Sequence, residues 1–288
     1  MQIDINTKMI TLIGTPLGQS YAARMQNRAY EAAGLNMSYF YTEADNEHLG
    51  DIVNGLRYMN FAGFAVTKPN KVKVLEYLDE LDPLCRKMGS SNTVVKTPDG
   101  RLIGYNTDGD GFYRSLKEEG GVEPEGRAFF CFGAGGAGRA ICSVLAWHGA
   151  GKIYITDAVP ECAESLAKDI NRNFAPAAES VPAGSFEKTA GCDVIINASG
   201  VGMGRTVGQS PFPKQYMKKE KLYFDACYNP ARTRFLLDAE EAGGRILNGL
   251  GMSLYQGAAQ IELWTGKPAP VEEMRRELMK ILEENQNS

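Results

Sequence analysis

Residues 127–158 read RAFFCFGAGGAGRAICSVLAWHGAGKIYITDA, and the succession of patterns in this stretch decides the fold. RAFFCF is a short continuous apolar run of the kind buried on both faces of a parallel sheet, and KIYITD reads as the next strand. Between them GAGGAGRA makes a tight turn that opens a helix. Gly133, Gly135 and Gly138 match G-x-G-x-x-G in that setting. The first glycine permits the turn, the second lets backbone approach a pyrophosphate, and the third lets helix and strand close up. The helix N-terminus adds N–H groups and the positive end of its dipole, with Ala134, Gly136 and Ala137 completing the loop. Asp157 ends the second strand about 20 residues on, where a carboxylate can accept from adenosine ribose hydroxyls and repels a 2′-phosphate. The plainer alternative is a glycine-rich turn with a helix-capping Asp. The stretch predicts a Rossmann dinucleotide-binding domain, with NAD as cofactor in preference to NADP.

Outward from it, CDVIINAS and KLYFDACY supply further apolar strands, and PVEEMRRELMKILEENQNS reads as an amphipathic helix with Met274, Leu278 and Ile281 on one stripe and a polar end. Upstream, MITLIG, RMQNRAYEAAG, SYFYTEA, HLGDIVNGLRYMN and GFAVT alternate strand and helix patterns in a βαβαβ rhythm. Such a rhythm favours a mainly parallel sheet with its ligand site outside the strand C-termini. At 288 residues the chain exceeds one hydrophobic core. The expected fold class is α/β: a substrate-binding and catalytic α/β domain over 1–110, completed by 246–288 through a returning C-terminal helix, and a Rossmann domain over 111–245. EEGGVEPEG marks the first change of domain.

A hydrophobic fraction of 43%, a charged fraction of 23% and a net charge of −4 describe an ordinary globular protein and give no electrostatic footprint for nucleic acid. No run of apolar residues is long enough for a membrane span, and MQIDINTKMITLIG lacks the features of a secretory signal. Cys85, Cys131, Cys142, Cys162, Cys192 and Cys227 have neither disulfide-scaffold nor zinc spacing, so free thiols in a reducing, cytoplasmic compartment are expected. With His48 and His148 the only histidines and no close ligand cluster in the sequence, no metal is expected.

FAVTKPNKVKV, residues 64–74, packs Lys68, Lys71 and Lys73 together in an acidic chain. They are either a solvated face or chemistry. A dinucleotide domain joined to a second α/β domain suggests hydride transfer at a cleft, and oxidation of a secondary alcohol then needs a group to take the hydroxyl proton. Lysine is the leading candidate, provided that its pKa is brought down from ~10.4 by neighbouring charge or partial burial.

GTPLGQS, GFAVTKPNK, GSSNTVV, GYNTDGDGF, GAGGAGRA, INASGVGM, YNPARTRFL and GLGMSLYQGAAQIELWTG occur in the order found in the shikimate dehydrogenase family, which the chain resembles over nearly its whole length. MQN at 25–27 and PNK at 69–71 are most similar to its quinate/shikimate dehydrogenase branch. The resemblance implies an NAD-dependent oxidoreductase that interconverts quinate- or shikimate-type cyclic hydroxy acids and their 3-dehydro ketones. It implies Lys71 and Asp108 as the catalytic pair, sharing the substrate hydroxyl proton. It assigns Ser20, Thr67, Asn92, Tyr228 and Gln256 to the substrate, and Ala198, Ser199, Gly200, Met203, Gly249, Gly251 and Met252 to the surroundings of the nicotinamide. A small cyclic acid is the implied partner, and a homodimer is compatible with the family.

Two positions depart from the pattern. The family's S-x-S-P element is Ser20-Tyr21-Ala22-Ala23 here, and the asparagine before V-T is Ala65. Loss of one hydrogen bond to a carboxylate costs about 1.5–3 kcal/mol. Weak use of shikimate and better use of quinate are therefore expected, with Tyr21, Arg24 or water supplying the missing donor. A divergent paralogue acting on an aminoshikimate-like or other substituted ring, and a non-catalytic NAD-binding sensor, are the alternatives.

Overall fold

The structure is a computed structural model that describes residues 3–18 and 20–286. The chain divides into two units, 1–107 with 254–288, and 108–253. Sequence places the divisions at 110/111 and 245/246. The observed ones fall at the start of one helix and inside another, because both helices run unbroken through the change of unit.

The first unit runs β1 (Lys8–Gly14), α1 (Ala22–Ala32), β2 (Met37–Glu43), α2 (Leu49–Tyr58), β3 (Phe61–Val66), β4 (Glu80–Leu81), α3 (Pro83–Met88), β5 (Thr93–Lys96) and β6 (Leu102–Tyr105). Its six-stranded sheet has the order β2-β1-β3-β5-β6-β4 and is parallel except for β5, which runs antiparallel to both neighbours. Ile13, Leu49, Val53, Phe64, Val66 and Val94 form its core. Each such side chain contributes about 1.5–3 kcal/mol by leaving water. Short-range chemistry fixes α3: Asp82 accepts from the Leu84 and Cys85 N–H groups, Pro83 starts the helix, and Gly89 ends it at φ 68°.

The second unit holds α4 (Thr107–Arg114), whose first residue belongs to the other unit, then β7 (Ala128–Phe132), α5 (Gly136–Trp147), β8 (Lys152–Thr156), α6 (Pro160–Asn173), β9 (Ala178–Ser180), β10 (Val194–Asn197), β11 (Leu222–Asp225), α7 (Arg234–Glu241) and β12 (Arg245–Asn248). The sheet is wholly parallel, in the order β12-β11-β10-β7-β8-β9. Strand order reverses between β7 and β10, the place where an open parallel sheet leaves a crevice for ligand. Register puts Asn197 opposite Phe132 on one side and Asp225 on the other, so the loops after β7, β10 and β11 leave the sheet at one edge.

α8 (Gly249–Thr265) leads the chain back into the first unit, and α9 (Val271–Gln286) closes it. Met274, Leu278 and Ile281 are buried, as their helical spacing predicts. Residues 287 and 288 of the expected polar end lie outside the described residues. α9 packs on α1, and Arg24 spans the two helices through Glu277 (2.6 Å) and Glu284 (2.5 Å).

Candidate active site

The glycine-rich turn sits at the switch point of the parallel sheet. Gly133 has φ 102°, and a Cβ there would stand 2.6 Å from the backbone of Ala198 and Ser199, so only glycine lets the loops after β7 and β10 meet. A Cβ on Gly138 would lie 1.9 Å from the Gly133 carbonyl, which is the close helix–strand approach expected of the third glycine. Gly135 and Gly136 differ: a Cβ on either would meet nothing within 4 Å. The start of α5 is therefore open, has no side-chain cap and carries no acidic residue in its first turn. That donor set fits a dinucleotide pyrophosphate.

Asp157 has a local duty. Its Oδ2 accepts from the Ala134 N–H at 2.7 Å and its Oδ1 from the Val159 N–H at 2.9 Å, tying the end of β8 to the glycine turn. Across the switch point, the Asn197 amide donates to the Val201 carbonyl (2.8 Å) and to Asp225 Oδ1 (3.0 Å), while its oxygen accepts from the Ser199 hydroxyl (2.6 Å). Asp225 also accepts from the Cys227 N–H (2.9 Å) and, through Oδ2, from the Thr233 hydroxyl (2.5 Å). Burial pushes the Asp225 carboxyl above its ordinary range. Ala198, Ser199 and Gly200 (φ 80°) thus leave β10 on a pinned turn, Met203 follows exposed, and Tyr228 is half-buried after β11. Gly249 opens α8 against β11, where a Cβ would be 2.1 Å from the Ala226 carbonyl, and a Cβ on Gly251 would be 2.4 Å from Ser115 Oγ. These two glycines are explained by packing, and Met252 beside them is half-buried. Asp108 is the second residue of α4 and is half-buried.

In the first unit the lysine loop follows β3. The Thr67 N–H donates to the Ile13 carbonyl, the Asn70 N–H to the Thr67 carbonyl, and the Ser91 N–H to the Lys71 carbonyl. Gly14 lets this loop lie on β1, since a Cβ there would be 2.3 Å from Thr67 Cγ2. The three lysines separate by environment: Lys68 is exposed, Lys71 is half-buried, and Lys73 binds Glu76 at 2.6 Å, a bond that raises the Lys73 pKa. Lys73, read from sequence as a solvated charge, is spent on its own turn.

Asn92 is buried between β3 and β6: its carbonyl accepts from the Val66 N–H, and its N–H donates to the Tyr105 carbonyl. Its side-chain oxygen accepts from the Thr107 N–H at 2.7 Å and the Thr93 hydroxyl at 2.9 Å, and its amide donates to Thr107 Oγ1 at 3.0 Å. Gln256 is half-buried on α8, one turn before the buried Gln260. Ser20 precedes α1, with its Oγ accepting from the Ala22 N–H at 3.3 Å. Tyr41, which sequence reading passed over, donates to the Ser20 carbonyl at 2.7 Å and accepts from the Ala23 N–H at 3.1 Å. Its position on a half-exposed strand carried no signal. Arg24, one of the three donors offered for the acid's carboxylate beside Tyr21 and water, bonds Glu277 and Glu284 of α9.

Asp45, Glu47 and His48 come together in an exposed turn, a cluster that sequence reading did not foresee. Hydrogen bonds from the Glu47 and His48 N–H groups to Asp45 account for it as the entry to α2. No helix among the described residues is long and apolar enough to cross a membrane.

A wholly parallel sheet with a glycine turn at its switch point, joined to a second α/β unit carrying a half-buried lysine, defines the class of dinucleotide-dependent α/β oxidoreductases. The family model for the shikimate dehydrogenase substrate-binding domain matches residues 12–94, and that for the shikimate 5′-dehydrogenase C-terminal domain matches residues 249–279. Shikimate dehydrogenase (NADP(+)) of Desulforamulus reducens is 40% identical over 283 residues, covering 97% of both chains. The structure of shikimate 5-dehydrogenase from Listeria monocytogenes, in complex with shikimate and NAD, superposes with a TM-score of 0.92 at 37% identity, covering 96% of this chain and 98% of that one. Quinate dehydrogenase from Corynebacterium glutamicum, in complex with NAD, gives 0.89 at 28% identity, covering 95% and 99%. The chain belongs to the shikimate dehydrogenase family, and it is an NAD(P)-dependent alcohol dehydrogenase of the shikimate/quinate type.

One expectation is overturned by these relatives. Asp157 by itself predicts NAD in preference to NADP, yet the curated relatives carry the name shikimate dehydrogenase (NADP(+)). The structure supplies the physical reason. Asp157 accepts from the glycine turn and from the following turn, so a carboxylate there has a structural task that does not depend on a ribose.

Proposed function

We propose that the chain interconverts a shikimate- or quinate-type cyclic hydroxy acid and its 3-dehydro ketone, with Lys71 and Asp108 handling the proton and Ser20, Thr67, Asn92, Tyr228 and Gln256 holding the acid. The observation that carries the reading is the set of backbone bonds that suspends Thr67, Lys71 and Asn92 together: Asn70 N–H to Thr67, Ser91 N–H to Lys71, and Val66 N–H to Asn92. A short loop bound at both ends holds a lysine and its polar neighbours with little freedom, which is what a proton-transfer group needs.

The bound dinucleotide supplies a hydride acceptor at its nicotinamide ring. Gly133 to Gly138 and the open start of α5 are the residues that would hold its pyrophosphate, and the turn from Ala198 to Met203, with Gly249 and Met252, those that would border the ring. In the oxidative direction the substrate hydroxyl gives its proton to Lys71 or Asp108 as its hydride leaves to the ring. Thr67 and Gln256 can each match a ring hydroxyl and disfavour analogues that lack it. At the carboxylate, Ser20 acts beside Ala22, where the second family hydroxyl is missing. Quinate, with an extra hydroxyl on the carboxylate-bearing carbon, suits the added room better than shikimate.

The test is the appearance of reduced nicotinamide absorbance over a panel of cyclic hydroxy acids, with each dinucleotide offered in turn. Turnover of quinate with a lower KM than shikimate is expected. Lys71→Ala should lower kcat by about 10²–10⁴, the scale of general acid–base catalysis, with a smaller effect on KM. Full activity in Lys71→Ala, or no turnover of any acid in the panel, overturns the reading.

A further inference from the structure

The buried polar groups behind Asn92 form one directed chain. Gln26 on α1 and Gln260 on α8, with Thr93, Thr107 and Asn92, are all at most 3% exposed. The Gln26 amide donates to the Gly257 carbonyl at 3.1 Å and to Gln260 Oε1 at 3.2 Å. Gln260 Nε2 donates to Thr93 Oγ1 at 3.0 Å, and the Thr93 hydroxyl donates to Asn92 Oδ1 at 2.9 Å.

The amide directions in this chain are forced. A backbone carbonyl can only accept, so the Gly257 end fixes which face of the Gln26 amide is the donor. That turns Gln260 Oε1 toward Gln26 and its NH₂ toward Thr93. Having accepted from Gln260, Thr93 has its own proton to give, and of its two neighbouring oxygens Asn92 Oδ1 at 2.9 Å is nearer than Thr107 Oγ1 at 3.1 Å. At the other end the Thr107 N–H, which can only donate, meets the same Asn92 oxygen at 2.7 Å. Gly257 itself is shaped for the contact: a Cβ there would be 3.3 Å from Gln26 Nε2 and 2.6 Å from Met25 Cε.

The geometry points to Thr93, Gln260 and Gln26 as positioning residues that keep the Asn92 oxygen turned inward, so that Asn92 meets substrate through its NH₂, which also donates to Thr107 Oγ1 at 3.0 Å, and never through its oxygen. This rests on the reading of Asn92 as a substrate ligand. Its chemical consequence is that the group bound at Asn92 must be an oxygen able to accept: a hydroxyl whose own proton is directed elsewhere, or a ketone or carboxylate oxygen. In a buried, low-dielectric network a flipped amide would leave donors facing donors, so the wrong orientation of Gln260 or Asn92 is penalised strongly, while Gln26 Oε1 is left without a partner in the orientation observed.

The experiment compares steady-state kinetics of Thr93→Val, Thr93→Ser, Gln260→Leu and Asn92→Ala, each alone, together with the Thr93→Val/Asn92→Ala pair, using shikimate and quinate as substrates. Thr93→Val should raise KM for the acid by about 3- to 10-fold, the scale of one neutral hydrogen bond, with the dinucleotide KM unchanged. Gln260→Leu should shift it in the same direction by less, and Thr93→Ser should restore the wild-type value. In the Asn92→Ala background Thr93→Val should add nothing, because its effect passes through Asn92. If Asn92→Ala raises KM while Thr93→Val and Gln260→Leu do not, or if Thr93→Val multiplies with Asn92→Ala, the positioning role is overturned and the substrate assignment stands. If Asn92→Ala itself leaves KM unchanged for both acids, the substrate assignment fails and the inference with it.

Discussion

Asp157 shows how far a single residue type can be read. A carboxylate at the end of β8 must accept hydrogen bonds, and sequence reveals that much. Which donors it meets depends on how β8 and the glycine turn approach each other, and those turn out to be the Ala134 and Val159 N–H groups. Asp157→Ala should therefore destabilise the protein in the absence of any dinucleotide, by about 1–3 kcal/mol, chiefly for the buried Ala134 donor left unmatched, since the exposed Val159 donor can turn to water. Urea unfolding of the ligand-free variant checks this; an unchanged midpoint would show that the anchoring is dispensable. Among the three lysines of one short loop the family pattern singles out Lys71, and the structure separates the three by exposure and by the Lys73–Glu76 pair. The Asn92 lock was not legible at all. Its members lie in β5, α1 and α8, and no local period connects Gln26 to Gln260 or either to Thr93.

Among the elements, those carrying strong periodicity could be read directly: α9 from Met274, Leu278 and Ile281, and β7 from an unbroken apolar run whose last four residues are buried. The segment from β4 to β6 was not read. Its strands have two to four residues, too few for a pattern, and β5 reverses direction against β3. What secures β5 is tertiary. Trp264 donates to the Val94 carbonyl at 3.0 Å, and Gly63 leaves space for it, since a Cβ there would be 2.2 Å from that carbonyl and 2.6 Å from the indole nitrogen. At the end of β5, Lys96 donates to the carbonyls of Leu56 (3.3 Å), Arg57 (2.9 Å) and Met59 (2.6 Å), closing the C-terminal end of α2. Burial lowers the Lys96 pKa, but the cation complements the negative end of the helix dipole. Lys96→Met keeps the stem and removes the charge, so it should cost about 1–2 kcal/mol, read as a lower urea midpoint with unchanged kcat. A loss of kcat at unchanged stability would move Lys96 from structure into chemistry.

At the scale of the whole molecule the ionisable groups oppose one another with pH, and the signs can be worked out. Asp79, Glu123, Glu179 and Glu241 have their carboxyls held below the ordinary range, chiefly by Arg57, Lys117, Lys152 and Lys214 respectively. Their contribution is present above the unfolded values of 3.8 for Asp and 4.5 for Glu, and is lost as pH falls through the lower folded values. His148, stacked on Tyr113 at 3.7 Å, is lowered by burial from 6.5. The unfolded chain therefore binds that proton first, and stability declines as pH drops below 6.5. Asp225 runs the other way. Burial raises it from 3.8, so the native state keeps a proton that the unfolded state has released, and stability is lost as pH climbs through the folded value. Wild type should show a first decline below pH 6.5 that His148→Phe abolishes, then a steeper one in the carboxylate range. Asp225→Asn, which cannot ionise, keeps the shape of the side chain while placing an NH₂ among the donors of Asn197, Cys227 and Thr233, so it should be less stable than wild type in acid. The gap should narrow as pH rises above 3.8, because only wild type then carries the burial cost of a charge. Urea midpoints for the three proteins between pH 3 and 8 decide it: a gap that widens with pH would mean that the Asp225 carboxylate is stabilised where it lies, and that the donors around it outweigh its burial.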